Sequence, residues 1–256
     1  MEFELTFKAF LIACPLVFLG GFVDSIAGGG GIITIPAYLM AGLPAQLANG
    51  TNKLSACFGT TISTIKYLRT GKADYGLAIP SIICALGGAA FGARIALILS
   101  ANAFKILMLV AIPFIAIVVL SNKDLKPKDP TPLSRRTEYV IMIVASLIIG
   151  IYDGFYGPGT GTFLILIYTK LIKKDIITAE CNAKLCNLAS NVSSLIIYLT
   201  HGTSVLALGL TCAACSILGN LLGSSLAIKN GSKFVRIIIL CVLALLAVKV
   251  LTDYFI

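Results

Sequence analysis

Charged residues, tryptophan and histidine are scarce in this chain of 256 residues. Charged residues make up only 12% of it, whereas a soluble domain carries roughly 25%. Hydrophobic residues make up 58%, and the mean hydropathy is +0.98. Because the chain contains no tryptophan, only Tyr, Phe, Lys and Arg remain to anchor it at a membrane interface. These proportions exclude an ordinary soluble domain and predict an all-α polytopic membrane protein surrounded by the lipid bilayer.

The residue sets that perform common catalytic chemistry are also missing. The sequence contains no Walker loop, no complete metal-ligand set and no nucleophile paired with a base, and the Cys-x-x-Cys spacing at 212–215 has no companion pair and no nearby His, so we expect neither an enzyme nor a bound cofactor or metal. The single histidine, His201, falls in a short predicted loop, and Cys212 and Cys215 lie in an apolar segment, where cysteine behaves as a small hydrophobic residue. The net charge of +9 is concentrated in short loops, which is typical of membrane topology and argues against nucleic acid as a partner.

Apolar segments follow one another along the whole chain, and they fall into two length classes. A membrane-spanning helix needs about 20 residues. The segments long enough to span are 48–66, 74–99, 103–121, 178–200, 203–228 and 233–255. The shorter ones form two pairs, 7–22 with 31–42 and 138–152 with 160–172. A glycine-rich break joins each short pair, so we interpret each pair as two half-helices that meet at mid-depth, with two tilted full spans as the alternative.

A proline-rich and charged segment, 122–137, divides the chain into two similar halves, 1–121 and 138–256. An offset of 131 residues aligns Lys53 with Lys184 and Tyr67 with Tyr198. An offset of 129 aligns the two glycine-rich breaks. Matched lysines and tyrosines are less easily explained by chance than matched Leu or Ala. The halves are therefore predicted to be repeats.

Lysine and arginine are concentrated in alternate loops of the predicted topology. Basic loops lie at 66–72, 122–137, 170–174 and 229–236, whereas the loops at 42–47, 100–102 and 200–203 contain neither residue. The positive-inside rule then predicts a cytoplasmic linker at 122–137 and both termini outside. An odd number of crossings in each half makes the repeats inverted, as in many secondary transporters. We predict that each repeat consists of a broken or re-entrant helix pair and three transmembrane helices.

Each glycine-rich break carries one carboxylate, Asp24 in the first half and Asp153 in the second. An ionised Asp in the middle of a bilayer costs about 2.5–3.5 kcal/mol and usually has a function. One interpretation is a proton-accepting carboxylate that couples proton movement to transport. The other is a carboxylate at a hairpin tip that only binds nearby backbone amides.

The breaks also supply hydrogen-bond donors at the start of the short helices that follow them. Helix N-termini carry partial positive charge and bind anions readily. The alternative is that the small residues only allow close helix packing. Two symmetric breaks beside carboxylates favour a substrate site, for which the candidates are Gly28, Gly29, Gly30, Gly31 and Thr34 in the first half and Gly157, Gly159, Thr160 and Gly161 in the second.

A buried lysine with polar neighbours is predicted near the start of the next long helix in each half. Lys53 follows Asn52, and Lys184 lies between Asn182 and Asn187. A lysine near a helix end can extend to the membrane interface. A polar stripe in a lipid-buried helix is more typical of a cavity. Because donors outnumber acceptors, these residues predict a small anionic substrate.

The chain resembles the sulfite exporter TauE/SafE family of bacterial and archaeal permeases, also described as probable membrane transporter proteins of the YfcA type. The resemblance covers the whole chain. It rests on Phe22-Val-Asp-Ser-Ile-Ala-Gly-Gly-Gly-Gly31, Asn52-Lys53, Tyr152-Asp-Gly-Phe-Tyr-Gly-Pro-Gly-Thr-Gly161 and Asn182-Ala-Lys184. It implies a multi-pass inner-membrane protein that moves sulfur-containing anions such as sulfite or sulfoacetate, coupled to an ion gradient.

Together these features predict a secondary-active transporter of small anions, with sulfur oxyanions as the class that the resemblance implies. Alternating access would come from one half rocking against the other. Three alternatives stay open at this point: a passive channel for anions or small solutes, an importer that binds Na⁺ through the two aspartates, and a membrane partner or sensor without flux.

Overall fold

The computed structural model describes residues 5–99 and 133–255. Within these ranges the chain is helical and contains no β-strand. The helices are α1 (Phe7–Ala27), α2 (Gly31–Met40), α3 (Ala45–Leu68), α4 (Tyr75–Ile98), α5 (Arg135–Phe155), α6 (Thr160–Leu166), α7 (Ile176–Thr200) and α8 (Leu206–Phe255). A π-helical segment, Ile167–Leu171, continues α6. The all-α fold class is therefore confirmed. The predicted span 103–121 and most of the predicted linker 122–137 lie outside the described residues.

Four of the described helices are long and apolar enough to cross a membrane: Phe7–Ala27, Tyr75–Ile98, Arg135–Phe155 and Leu206–Gly231. The protein is therefore a multi-pass membrane protein. Helices α3 and α7 are comparably long, at 24 and 25 residues, but both are less apolar because they carry many buried polar side chains. At Gly231 the backbone leaves the helical conformation, which divides α8 between the predicted segments 203–228 and 233–255.

The prediction of half-helices at 7–22 and 138–152 is wrong, because α1 and α5 each contain 21 residues. Both helices continue past the aspartate that was expected to lie in the break. The reason is that Asp24 and Asp153 each form an ion pair with a lysine of another helix, so neither charge has to leave the helix. Helix α5 also begins earlier than predicted, since Ser134 caps it by accepting a hydrogen bond from the Thr137 amide.

The second helix of each pair is short, as predicted, and folds back along the first. Tyr38, near the end of α2, shares a hydrophobic cluster with Ala9 and Ala13 at the start of α1. In the same way, Tyr168 of the π-helical segment shares a cluster with Met142 near the start of α5. Each pair therefore forms a hairpin with a long arm and a short arm, and the glycine-rich break is its tip.

Helices α3 and α7 pack against each other between two outer pairs. Helix α1 packs on α8, α5 packs on α4, α8 also contacts α3, and α4 also contacts α7. The central helices are antiparallel, since Lys53 bonds Asn191 whereas Thr64, later in α3, bonds the carbonyl of Lys184, earlier in α7. The first helix of each predicted repeat thus packs against the last described helix of the other.

An ion network ties α4 to α5 at the end of the bundle that carries the basic loops. The Arg135 guanidinium donates two hydrogen bonds to Asp74, with N–O distances of 2.6 and 2.7 Å. Lys174 contacts the carboxylates of Asp74 and Glu138 at 3.3 and 3.1 Å. The hydrogen bonds from Arg135 lower the pKa of Asp74 from 3.8 to about 2.

We expect Asp74→Asn to destabilise the protein at neutral pH and to have little effect in acid. A carboxyl whose pKa is lowered in the folded state stabilises it above the unfolded value, here 3.8, and loses that contribution as the pH falls to about 2. Thermal unfolding in detergent should therefore show a Tm difference between wild type and variant that shrinks across this window. A difference that is constant between pH 7 and pH 2 would contradict this.

Candidate functional site

The tips of the two helix hairpins contact each other in the interior of the bundle. The Thr162 amide donates to the carbonyl of Gly28 at 3.4 Å, and the Thr162 hydroxyl donates to the carbonyl of Ala27 at 2.6 Å. Gly28 has a φ of +70°, which disfavours any residue with a Cβ, and a Cβ there would lie 2.6 Å from the Thr162 nitrogen. The contact between the two breaks therefore requires glycine at this position.

Lys53 of α3 is paired with Asp153 at the end of α5. Its ammonium nitrogen lies 2.9 Å from Asp153 Oδ2 and 3.0 Å from the side-chain oxygen of Asn191. The same carboxylate accepts hydrogen bonds from the hydroxyls of Ser190 at 2.5 Å and Thr160 at 2.8 Å. The lysine and aspartate side chains are only 2% and 3% exposed, so the pair is removed from both lipid and bulk water.

Lys184 of α7 is paired with Asp24 near the end of α1. Its ammonium nitrogen lies 3.2 Å from Asp24 Oδ2 and also donates to the backbone carbonyl of Asp24. The other carboxylate oxygen accepts a hydrogen bond from the Gly30 amide at 3.3 Å. Lys184 is 1% exposed, but the Asp24 side chain is 17% exposed. Each ion pair therefore joins one half of the chain to the other.

The two lysines lie at different depths. Lys53 is eight residues into α3 and Lys184 is eight residues into α7, which is about 12 Å of helix rise in each case. Because the two helices are antiparallel, these distances are counted from opposite ends of the bundle. The Lys53–Asp153 pair is therefore nearer one end and the Lys184–Asp24 pair nearer the other.

A polar cavity lies beside the hairpin tips. The space open to the centre of a water molecule is about 40 Å³, which is room for about three waters or one small ion. Most of the predicted site residues line it: Asp24, Gly28, Gly30, Gly31, Thr34, Asn52, Lys53, Asp153, Gly157, Thr160 and Asn187. The first turn of α2 begins at this cavity, and the amides of Ile32 and Ile33 there donate to the carbonyls of Gly29 and Gly30 at 3.2 and 2.9 Å.

Five of the predicted site residues do not line this cavity: Gly29, Gly159, Gly161, Asn182 and Lys184. Gly161 is packed against Gly28 at the contact between the tips. Asn182 accepts a hydrogen bond from the Asp74 amide at 3.1 Å, which places it near the ion network. Lys184 reaches the cavity only through Asp24. The roles predicted for these residues in substrate binding stay predictions.

Sequence reasoning missed the cavity wall that α8 provides. Ser216 and Asn220 lie on one face of this helix, four residues apart, and both line the cavity. Gly20 and Gly21 of α1 line it as well. The spacing of Ser216 and Asn220 is a helical signal, but in an otherwise apolar segment only the packing of α8 on α1 and α3 identifies their partner surface.

The charges that belong to the site balance in pairs. Two buried lysines face two aspartates, so the four groups together carry no formal charge. An anion in the cavity therefore interacts fully with Lys53 only when the Asp153 carboxylate is displaced or protonated. The remaining donors are hydroxyls and amides. This arrangement suits a small ion that exchanges places with a carboxylate.

Comparison with known protein families identifies the family of this chain. The family model described as "Sulfite exporter TauE/SafE" matches residues 13–250. The chain belongs to this family. The TauE/SafE match covers both hairpins, both lysine–aspartate pairs and every residue that lines the cavity.

Full-length relatives of this TauE/SafE protein are named as membrane transporters. It is 34% identical over 252 residues to "Probable membrane transporter protein ORF9" of Sinorhizobium sp, covering 98% of this chain and 95% of that protein. It is 31% identical over 258 residues to "Probable membrane transporter protein YfcA" of Escherichia coli K12, with 97% and 94% covered. A Haemophilus influenzae "Probable membrane transporter protein" is 32% identical over 237 residues, with 92% of each chain covered. No solved structure matches the chain.

We expect Asp153→Asn to lower the free energy of unfolding of this TauE/SafE protein by about 3–5 kcal/mol, because it leaves Lys53 charged, buried and without its counterion. The double variant Lys53→Met/Asp153→Asn should recover most of that loss, since it removes both charges and keeps the volume similar. Denaturant unfolding in detergent measures both. Equal destabilisation by the single and the double variant would show that the two charges do not stabilise each other.

Proposed function

We propose that this protein is a secondary-active transporter of small anions that works by alternating access. The observation that supports the proposal most is the cavity beside the hairpin tips, which brings the buried Lys53, the Thr34 side chain and the first turn of α2 to one small space. Broken helices are tolerated at membrane depth where they surround a polar cavity, and transporters bind substrates at such breaks.

The substrates we propose are sulfur oxyanions, taken up or exported across the inner membrane. Two arguments support this class. The family is described as sulfite exporters, and a cavity with room for about three waters suits an ion as small as sulfite. Oxyanions also accept several hydrogen bonds at once, so an oxyanion that displaces Asp153 would accept from the Lys53 ammonium and would compete with Asn52 for the Thr34 hydroxyl, which donates to the Asn52 side-chain oxygen at 2.6 Å.

Exchange of partners by Lys53 supplies a mechanism for coupling. An incoming anion competes with the Asp153 carboxylate for the lysine, and a proton on Asp153 removes that competition. Asp24 is paired with Lys184 in the same way in the other ion pair. In this proposal the two aspartates are the proton-coupling residues, and protonation of one of them accompanies anion binding. The cycle then moves an anion and a proton together.

The packing supports two inverted halves that rock against each other. Helices α1 and α5 are equivalent in the predicted repeats, and so are α3 and α7, and α4 and α8. The contacts follow this equivalence, since α1 packs on α8 as α5 packs on α4. The two ion pairs follow it too, because each joins an aspartate of one half to a lysine of the other. The two ion pairs lie near opposite ends of the bundle. In the proposed cycle, the pair at one end breaks when the cavity opens to that side of the membrane.

The proposed orientation places the ion network of Asp74, Arg135 and Lys174 in the cytoplasm. These residues join the ends of α4 and α5 to the segment that follows the π-helical turns. Lys66 and Lys72 lie at the end of α3 that leads into this network. A concentration of lysine and arginine at one end of a bundle is typical of the cytoplasmic side.

Counterflow of radiolabelled sulfite in proteoliposomes tests the proposal. An alternating-access carrier should show uptake that is accelerated by unlabelled sulfite inside, because the return step is faster when the site is occupied. A passive channel shows no such acceleration. Lys53→Met should abolish counterflow, since the cavity loses its ammonium group, whereas Lys72→Met, a half-exposed lysine outside the cavity, should leave it intact.

Uptake without acceleration by internal sulfite would favour the channel, and the same experiment with thiosulfate, sulfoacetate and chloride ranks the substrates. Counterflow that continues unchanged in Lys53→Met would contradict the proposed site. The absence of any flux in wild type, with any of these anions, would favour a membrane partner or sensor.

A further inference from the structure

Glu180 is a buried carboxyl group that neither the sequence pattern nor the proposed anion site uses. It lies in the second turn of α7 and is 0% exposed. Both of its carboxyl oxygens are buried, and neither has a hydrogen-bond partner. An ionised carboxylate without a partner is strongly disfavoured away from water. A buried ionisable group in a membrane protein is therefore a candidate for a functional role.

The equivalent position in the other half is occupied by Asn49. An offset of 131 residues aligns Asn49 with Glu180 and Tyr198 with Tyr67. The contacts match as well, because the Tyr198 hydroxyl donates to the carbonyl of Gly154 at 2.9 Å and the Tyr67 hydroxyl donates to the carbonyl of Ser25 at 3.0 Å. The hydrogen-bond partners of Asn49 therefore indicate whether the equivalent position of Glu180 requires a donor or an acceptor.

Asn49 acts as a donor in its half. Its side-chain amide donates to the carbonyl of Phe155 and to the hydroxyl oxygen of Tyr198, both at 2.9 Å. The offset of 129 residues aligns Phe155 with Ile26, so the corresponding groups for Glu180 are the carbonyl of Ile26 and the hydroxyl of Tyr67, whose own proton is already donated to Ser25. Both are acceptors on this side. A carboxylate has no proton to donate to them, whereas a protonated carboxylic acid has one.

The charged groups that face Glu180 are Lys184, one turn later on α7, and Asp24 from α1. The titratable neighbours are Tyr67 from α3 and the adjacent Cys181. Lys184 is already paired with Asp24. One lysine therefore faces two carboxyl groups, and with Lys184 and Asp24 both charged the three groups are electrically neutral only while Glu180 holds a proton.

We propose that Glu180 is a proton-binding site on the cytoplasmic half of the protein. The proposal rests on the proposed function for its role in transport, but not for its protonation. In the conformation described here Glu180 is protonated. When Lys184 leaves Asp24 during the cycle, it can pair with Glu180, because residues four apart lie on one face of a helix. The O–H bond of Glu180 then breaks, and the proton passes to water.

Glu180 lies near the end of α7 that the proposed orientation places at the cytoplasmic side. Glu180 lies four residues from the start of α7, which is about 6 Å of helix rise. The half that contains Asn49 has no titratable group at this position. The two halves therefore have equivalent geometry at this position, but only the half with Glu180 can bind a proton there. We expect protons to be exchanged with water on the cytoplasmic side.

Infrared difference spectroscopy of the purified protein, titrated with pH, tests the protonation directly. A protonated carboxylic acid has a carbonyl-stretching band that disappears when it ionises. At neutral pH, where exposed carboxyl groups are ionised, we expect wild type to show such a band and Glu180→Gln to lack it. Glu138→Gln is the matched control, because the Glu138 carboxyl is bound by two cationic side chains, those of Arg135 and Lys174. It should keep the band. A band that is equally strong in wild type and Glu180→Gln, or absent from both, would overturn the proposal.

Transport measurements then separate this proposal from the proposed function. Sulfite counterflow, which needs no pH gradient, should persist in Glu180→Gln because glutamine stays neutral and can donate. Stimulation of uptake by an imposed pH gradient should be weaker in the variant than in wild type, because the variant keeps the two aspartates but lacks the proton of Glu180. Stimulation that is equal in the two proteins would overturn the coupling role. A lack of sulfite counterflow in wild type would instead count against the proposed function, while the infrared result would still decide whether Glu180 binds a proton.

Discussion

Two buried ion pairs are the constraint on which the rest of the structure depends. Charges and broken backbone inside a bilayer must find their partners within the protein. Lys53 holds the end of α5, and Lys184 holds the end of α1, so both hairpins are fixed to the central helices α3 and α7. Because each pair joins opposite halves, the hairpin tips are brought against each other and the polar cavity forms beside them.

Much of this could be predicted from the sequence, because it depends on local composition. The apolar segments predicted the helices, and the glycine-rich breaks predicted the positions of the two hairpin tips. The lengths of α1 and α5 could not be predicted, since a carboxylate near a glycine run reads as a helix end unless its lysine partner is known. That partner lies a hundred residues or more away, and only the tertiary packing of Asp24 on Lys184 and of Asp153 on Lys53 reveals it.

The partners of the site residues could not be predicted from the local sequence either. Donor counting around Lys53 and Lys184 predicted an anion, but it treated both lysines as free, whereas each is already paired. Because each lysine is paired, an anion has to compete with a carboxylate for the lysine ammonium. Protonation of that carboxylate would favour the anion, which links substrate binding to proton binding. Ser216 and Asn220 were missed because the sequence around them is otherwise apolar. Glu180 was missed because it aligns with another polar residue, Asn49, and only the structure shows that its carboxyl group is buried without a partner.

The most direct test of the proposed site is a structure determined by electron cryomicroscopy in lipid nanodiscs at saturating sulfite. We expect the hairpin tips to touch and an ion to lie in the cavity between Lys53, Thr34 and the first turn of α2. We also expect the ion to take the place of Asp153 beside the lysine. Tips that lie apart, a cavity that stays closed and dry, or sulfite bound elsewhere would contradict it.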